Sequence, residues 1–197
     1  MHMPLAEGTR RDIRVIHAVR EAVGADADLM IDANNGYNLN LTKQVLEETA
    51  DAGVYWIEEA FHEDGRLYAA LKEWMAARGI GTLIADGEGA ASPRLLDWAR
   101  DGLIDVVQYD IRRPGFTRWL ELGPQLDAWG VSSAPHHYGG AYGNYAACHV
   151  AAAIERFECV EWDEATVPGL DASAYRIVDG VVEVPSLPGF GLVLDSE

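Results

Sequence analysis

The sequence predicts an α/β fold of the (β/α)-barrel type, built from parallel strands. Three observations predict it. Short apolar, β-rich runs alternate with helical patterns at a strand-to-strand period of roughly 22 to 28 residues, which is the spacing of a repeated βα unit. The Gly-rich GxGxxG loop of a dinucleotide-binding sheet follows none of the strands. Successive strands end in Asp, Glu or His, as they do where a barrel gathers its chemistry at one mouth.

In chain order, the strands are read at DLMID (28–32), VYWIE (54–58), TLIAD (82–86), IDVVQYD (104–110), VSSAP (131–135) and ECVEW (158–162). The first helix is read at 10–23, where Ile13, Ile16, Val19 and Val23 recur on one face behind an acidic first turn at Asp12. The others fall at 41–52, 66–79, 92–101, 117–129 and 141–156. The segments share no motif, so the period is architectural and not a solenoid repeat, and no low-complexity linker divides the chain.

Bulk composition narrows the partners. The 197 residues suffice for one domain with a real core, or for part of a larger barrel. A formal net charge of −17, with 32 acidic against 15 basic residues, excludes nucleic acid as the expected partner, because phosphate binding needs clustered Lys and Arg. A small anionic substrate stays compatible, since a divalent cation inverts the local charge of an acidic pocket. Most of the acids read as solvated helix faces. Cys148 and Cys159 have no metal or redox spacing and read as reduced core residues of a cytoplasmic protein. No run approaches the ~20 apolar residues of a membrane helix, and MHMPLAEGTRR has no signal-type segment.

The strand ends carry the chemistry. They are Asp32 (MIDANN), Glu58 (WIEEAF), Asp86 to Glu88 (ADGEG), Asp110 (VQYD), His136 (APHH) and Glu161 (VEWDE). A single acid at a strand end is commonly a helix cap. Six in succession are not accounted for that way. Converging carboxylates repel unless a cation or shared protons compensate. Asp32, Glu58 and Glu88 offer only hard oxygen donors, which suit Mg²⁺.

These motifs, LMIDANNGYN, YWIEEAF, IADGEG, DVVQYD and SSAPHHYGG, together with the closing LPGFGLVLD (187–195), resemble the barrel domain of the enolase superfamily in its mandelate racemase-like branch. The resemblance runs from about Thr9 to Asp195, and its specificity lies in the order of the motifs. It implies that Asp32, Glu58 and Glu88 ligate Mg²⁺, that Asp110 and His136 form an Asp–His acid–base dyad, and that Glu161 hydrogen-bonds the substrate carboxylate or its enolate. His137 has no role in the family pattern and reads as a pocket-wall or structural residue, with substrate binding as its candidate role. Asn34 reads equally as a substrate-positioning group or as turn chemistry in DANNG. Arg112 and Arg113 flank the dyad Asp, where they would bind an anionic substrate or pair with acids.

The resemblance also implies that the strands correspond to the third to eighth of a (β/α)7β barrel. On this reading residues 1–197 form a single partial barrel domain without the first two strands and the N-terminal capping domain. Open edges then imply a homo-oligomer or a missing N-terminal segment. The family's Lys-x-Lys motif is absent before Asp32, and Gly115–Phe116 stands where a Gly-Gly pair is usual. With one dyad on one face, the expectation is Mg²⁺-dependent removal of a proton α to a carboxylate, with dehydration of an aldonate or aldarate sugar acid. The alternatives are racemisation or epimerisation of a 2-hydroxy acid, an inactive metal-binding barrel fragment, and, more distantly, a barrel aldolase or sugar isomerase.

Overall fold

The computed structural model describes residues 5–194. The start of MHMPLAEGTRR and Asp195, the last residue of the closing motif, lie outside the described residues. The chain divides into two compact units, one comprising residues up to Gly87 and Ala91–Val106, the other Glu88–Ala90 and Val107 onward.

The first unit is regular. Its elements are α1 (Leu5–Val23), β1 (Leu29–Asp32), α2 (Leu39–Glu48), β2 (Val54–Glu58), α3 (Gly65–Ala76), β3 (Leu83–Asp86) and α4 (Leu95–Arg100). The strands begin and end within one residue of the predicted runs. β2 pairs in parallel with both β1 and β3, in the registers Asp32↔Glu58 and Glu58↔Ala85. Ile13 and Ile16 of α1 pack with Val45, Ala52 and Val54, as the helical periodicity predicts, whereas Val19 and Val23, expected on the same face, are exposed. Asn38 caps α2 and Asp64 caps α3, each accepting two backbone N–H bonds. Arg20 clips the end of α1 by donating to the carbonyls of Ala52, Gly24 and Ala27 at 2.7 Å each.

In the second unit the strands are short. β4 (Val106–Val107), which begins at the unit boundary, is followed by α5 (Phe116–Trp129), β5 (Ser132–Ser133) and α6 (Tyr142–Ala151). Ala134 N donates to Val107 O at 3.1 Å, which continues the parallel pattern. Gly115, at φ 94°, precedes α5 and takes a conformation that side chains other than glycine adopt rarely. Two small antiparallel pairs follow, β6 (Leu170–Asp171) with β9 (Val193–Leu194) and β7 (Ile177–Val178) with β8 (Val181–Val182). A second core gathers Ala141, Tyr145, Cys148 and Tyr175.

Three expectations are corrected here. The run 158–162 is not a strand: the chain makes one isolated bridge, Ser133 to Phe157, and one further bond from Glu158 N to Ser133 O. Its side chains have strand propensity, but pairing stops after that contact. The 104–110 run contracts to two strand residues, since Asp110 turns the chain through a bond from Arg113 N to its carbonyl. Cys148 is buried as expected, whereas Cys159 is exposed; neither is in a disulfide. No helix is long and apolar enough to cross a membrane, among the described residues.

Candidate active site

The first unit places Asp32 and Glu58 side by side. They are register partners on parallel strands, whose separation is about 4.8 Å. The turn after β1 is built by Asp32 itself: Oδ1 accepts the Asn34 N–H at 2.7 Å. Asn34 and Asn35 have φ of 46° and 58°, the left-handed region that Asn tolerates best. Asn34 therefore performs the turn role that DANNG suggests. The turn is tied to β2 by Asn35 N donating to Glu59 O at 2.7 Å. Glu59 is buried with φ 41°, unusual for a glutamate, so the segment just after Glu58 is held against its own preference.

Behind β3, the first unit buries an acidic cluster that sequence reasoning did not find. Tyr68 Oη donates to Asp86 Oδ2 at 2.5 Å. Burial pushes the Asp86 carboxyl up to about 7, and the nearby Glu63 charge adds to the rise while the Tyr68 bond opposes it. Asp86 thus faces the protein interior and is not interchangeable with Glu88, two residues on.

The second unit assembles the remaining predicted groups. His136 Nδ1 lies 3.2 Å from Asp110 Oδ2, and Nε2 lies 3.1 Å from Glu88 Oε2. The three side chains are only 12 to 18% exposed. Asp110 is held on both oxygens: Oδ1 accepts from Arg112 N at 2.7 Å and from Arg112 Nε at 3.2 Å, and Oδ2 accepts from Arg112 Nη2 at 3.0 Å. Burial pulls the Asp110 pKa upward, but the Arg112 hydrogen bonds and charge, with the His136 bond, outweigh it and leave the carboxyl below its usual range. Arg112 thus pairs with the dyad acid, a partner that its side chain finds by folding back two residues. A cavity of about 630 Å³ is lined by Gly89, Ala90, Asp110, Arg112 and Arg113.

Glu161 Oε2 accepts the backbone N–H of His137, the residue after His136, at 2.6 Å. His137 itself points inward. Its ring is 1% exposed, Nε2 bonds the Gly140 carbonyl, and the ring packs so closely on Gly143 that a Cβ there would sit 1.8 Å from Nδ1. The adjacent loop is held by Asp163, whose Oδ2 accepts from Gly139 N at 2.8 Å and Gly140 N at 3.0 Å. Asn144 bridges back to the Asp163 backbone in both directions, at 2.7 and 2.9 Å. Asp163 and Asn144 were missed in the sequence. The Gly139–Gly140 pair was the one local sign that a backbone anchor was needed.

The donor chemistry of Asp32, Glu58 and Glu88 is all carboxylate oxygen and fits Mg²⁺. Among the described residues, no group of three His, Cys, Asp or Glu side chains forms a set that could hold a metal ion.

Parallel strands ending in carboxylates in the first unit, and an Asp–His pair in the second, are features of an α/β enzyme of the barrel class. The sequence matches the enolase C-terminal domain-like family over residues 3–197, and the chain belongs to that family. It is similar to a galacturonate dehydratase from a Geobacillus species, solved with D-galacturonate and 5-keto-4-deoxy-D-galacturonate, at 58% identity and TM-score 0.95, over 98% of this chain and 52% of that one. A mandelate racemase/muconate lactonizing protein from Geobacillus sp. Y412MC10, solved with magnesium and tartrate, is 57% identical with TM-score 0.94, over 99% of this chain and 50% of that one. D-galactarolactone cycloisomerase of Agrobacterium fabrum is 30% identical over 96% of this chain and 53% of its own length. The chain thus spans about half the length of these relatives.

Proposed function

We propose that this chain carries the acid–base half of a Mg²⁺-dependent sugar-acid dehydratase, with a uronic acid such as D-galacturonate as the substrate class. The observation that carries this reading is the Asp110–His136 pair. A histidine whose Nδ1 is engaged by a carboxylate presents Nε2 as its base, and here Nε2 faces the acidic strand-end group Glu88. The similarity to a galacturonate dehydratase supports the substrate class. It refines the aldonate or aldarate expectation, since a uronate has the same carboxylate and α-proton at the other end of the sugar.

In such an acid the reacting hydrogen is on C5, α to the C6 carboxylate. His136 Nε2 takes that proton, and the C–H electron pair moves into the carboxylate to give an enediolate. The pair then returns to form C4=C5 as the C4 hydroxyl departs. The same imidazolium returns its proton to this leaving group, so that water is lost. The resulting enol tautomerises to the 5-keto-4-deoxy acid. Asp110 stabilises the imidazolium and fixes its ring. Glu161, anchored through Oε2 to the His137 N–H, positions the substrate carboxylate. By the family resemblance Asp32, Glu58 and Glu88 are the residues that would hold Mg²⁺, and the chemistry it would supply is stabilisation of negative charge on the carboxylate oxygens.

The test is incubation with D-galacturonate and Mg²⁺, with detection of the 5-keto-4-deoxy product. His136→Asn should lower turnover by about 10²- to 10⁴-fold, the usual worth of a positioned acid–base group. Equal turnover in the variant would sink the assignment of the base. Solvent deuterium entering the substrate without loss of water would favour epimerisation instead. The metal set is tested separately by thermal unfolding in Mg²⁺ and in EDTA. A stabilisation of ~2.7 kcal/mol at a hundredfold excess over Kd is expected and should vanish in Asp32→Asn. No shift in the unmodified chain rejects the three-carboxylate site.

A further inference from the structure

We infer that Arg112 is a positioning residue of the dyad: its guanidinium clamps both oxygens of Asp110 so that Oδ2 stays directed at His136 Nδ1. The inference rests on the acid–base reading of Asp110 and His136 given above. Three facts carry it. The guanidinium reaches Oδ1 through Nε at 3.2 Å and Oδ2 through Nη2 at 3.0 Å, the two-point geometry that fixes a carboxylate plane. His136 Nδ1 uses the same Oδ2 at 3.2 Å, so the orientation set by Arg112 passes directly to the imidazole. The Arg112 side chain is 56% exposed whereas that of Asp110 is 12% exposed. The arginine therefore closes the carboxylate from the solvent side.

A carboxylate held only by its Asx turn could still rotate. That turn, from Arg112 N to Oδ1 at 2.7 Å, involves backbone and survives any side-chain replacement. Losing the guanidinium therefore loosens Asp110 without releasing it, and an intermediate effect is expected. The contact also separates two uses of the same arginine. A residue that binds substrate from the wall of this cavity acts on affinity. A residue that aligns the base acts on the chemical step.

Arg112→Met and Arg112→Lys are compared with the unmodified chain in three measurements. The first is steady-state turnover of D-galacturonate. Arg112→Met should lower kcat roughly tenfold, ~1.4 kcal/mol of barrier, with KM changed less than about twofold. Arg112→Lys should recover only part, because an ammonium cannot span both oxygens in the plane. The second is the downfield Nδ1–H proton resonance of His136, expected to weaken or vanish in Arg112→Met and to return in part in Arg112→Lys. The third is thermal unfolding, expected to be unchanged for so exposed a side chain. A raised KM with kcat preserved makes Arg112 a substrate contact and overturns the inference. An unchanged resonance with unchanged kcat makes it a surface pair and does the same. If the unmodified chain dehydrates no acid, the functional reading fails by itself, and the resonance alone decides whether Arg112 aligns the dyad.

Discussion

The two units place their functional groups by different means. In the first, Asp32 and Glu58 come together because two regular parallel strands are in register. Backbone ladder bonds do the work, and each carboxylate arrives as the last residue of its strand. In the second, the strands shorten to two residues. Asp110, His136 and Glu161 are then set by side chains bonding to backbone: Arg112 N on Asp110, His137 N on Glu161, and Gly139 and Gly140 N on Asp163. Strand register is cooperative and tolerates change at any one side chain. A loop set by single anchors depends on each of them. The first unit should therefore respond to mutation mainly through stability, and the second through the geometry of the site.

The largest contrast is expected from Gly143→Ala. The added Cβ would overlap the buried His137 ring, which has no room to move. Overpacking of this kind costs about 1–3 kcal/mol, more than the ~1 kcal/mol that Ala gains over Gly in a helix. A lower melting temperature should accompany disturbance of the His137 N–H bond to Glu161, read from amide shifts. An equal or higher melting temperature with unchanged shifts would show that the His137 wall is not tight.

Arg20→Met should be next, with a loss of about 1–2 kcal/mol in chemical denaturation, since it removes charge-assisted bonds to carbonyls at the end of α1. The dyad resonances should be unaffected. If they change, the division of labour between the units is wrong.

The smallest effect is a pH dependence. The Gly140 and Gly139 N–H groups hold the Asp163 carboxyl below its ordinary 3.8. A lowered folded value means that the stabilisation is complete above the unfolded pKa and is lost as the pH falls through the folded one. Acid titration from about pH 5 downward should therefore loosen the 139–140 loop, seen as faster amide exchange at Gly139 and Gly140 after correction for intrinsic rates. Asp163→Asn should remove that acid dependence, and a loop equally responsive to acid in the variant would reject the anchor.

Much of this was legible in the residues. The apolar runs at 28–32, 54–58 and 82–86 give β1, β2 and β3, because a strand buried on both faces must be apolar along its length. The pairing of His136 with Asp110 was expected only through the family resemblance. Three features escaped. ECVEW has strand composition, yet whether it pairs depends on which edge reaches it. Cys159 looked apolar enough for the core, but burial is decided by neighbours distant in sequence. Arg112 could have faced substrate, solvent or Asp110, and the sequence is the same in all three cases.

The sequence by itself determined the alternation of strand and helix, the parallel class and the acids that end β1, β2 and β3, since these follow from periodicity and local propensity within a few neighbours. Only the tertiary structure decided which nitrogen of His136 meets Asp110, that His137 turns inward onto Gly143, and that Arg112 and Asp163 serve as anchors. Those choices depend on distances of about 3 Å between groups up to 26 residues apart, and no local pattern of residues specifies a distance.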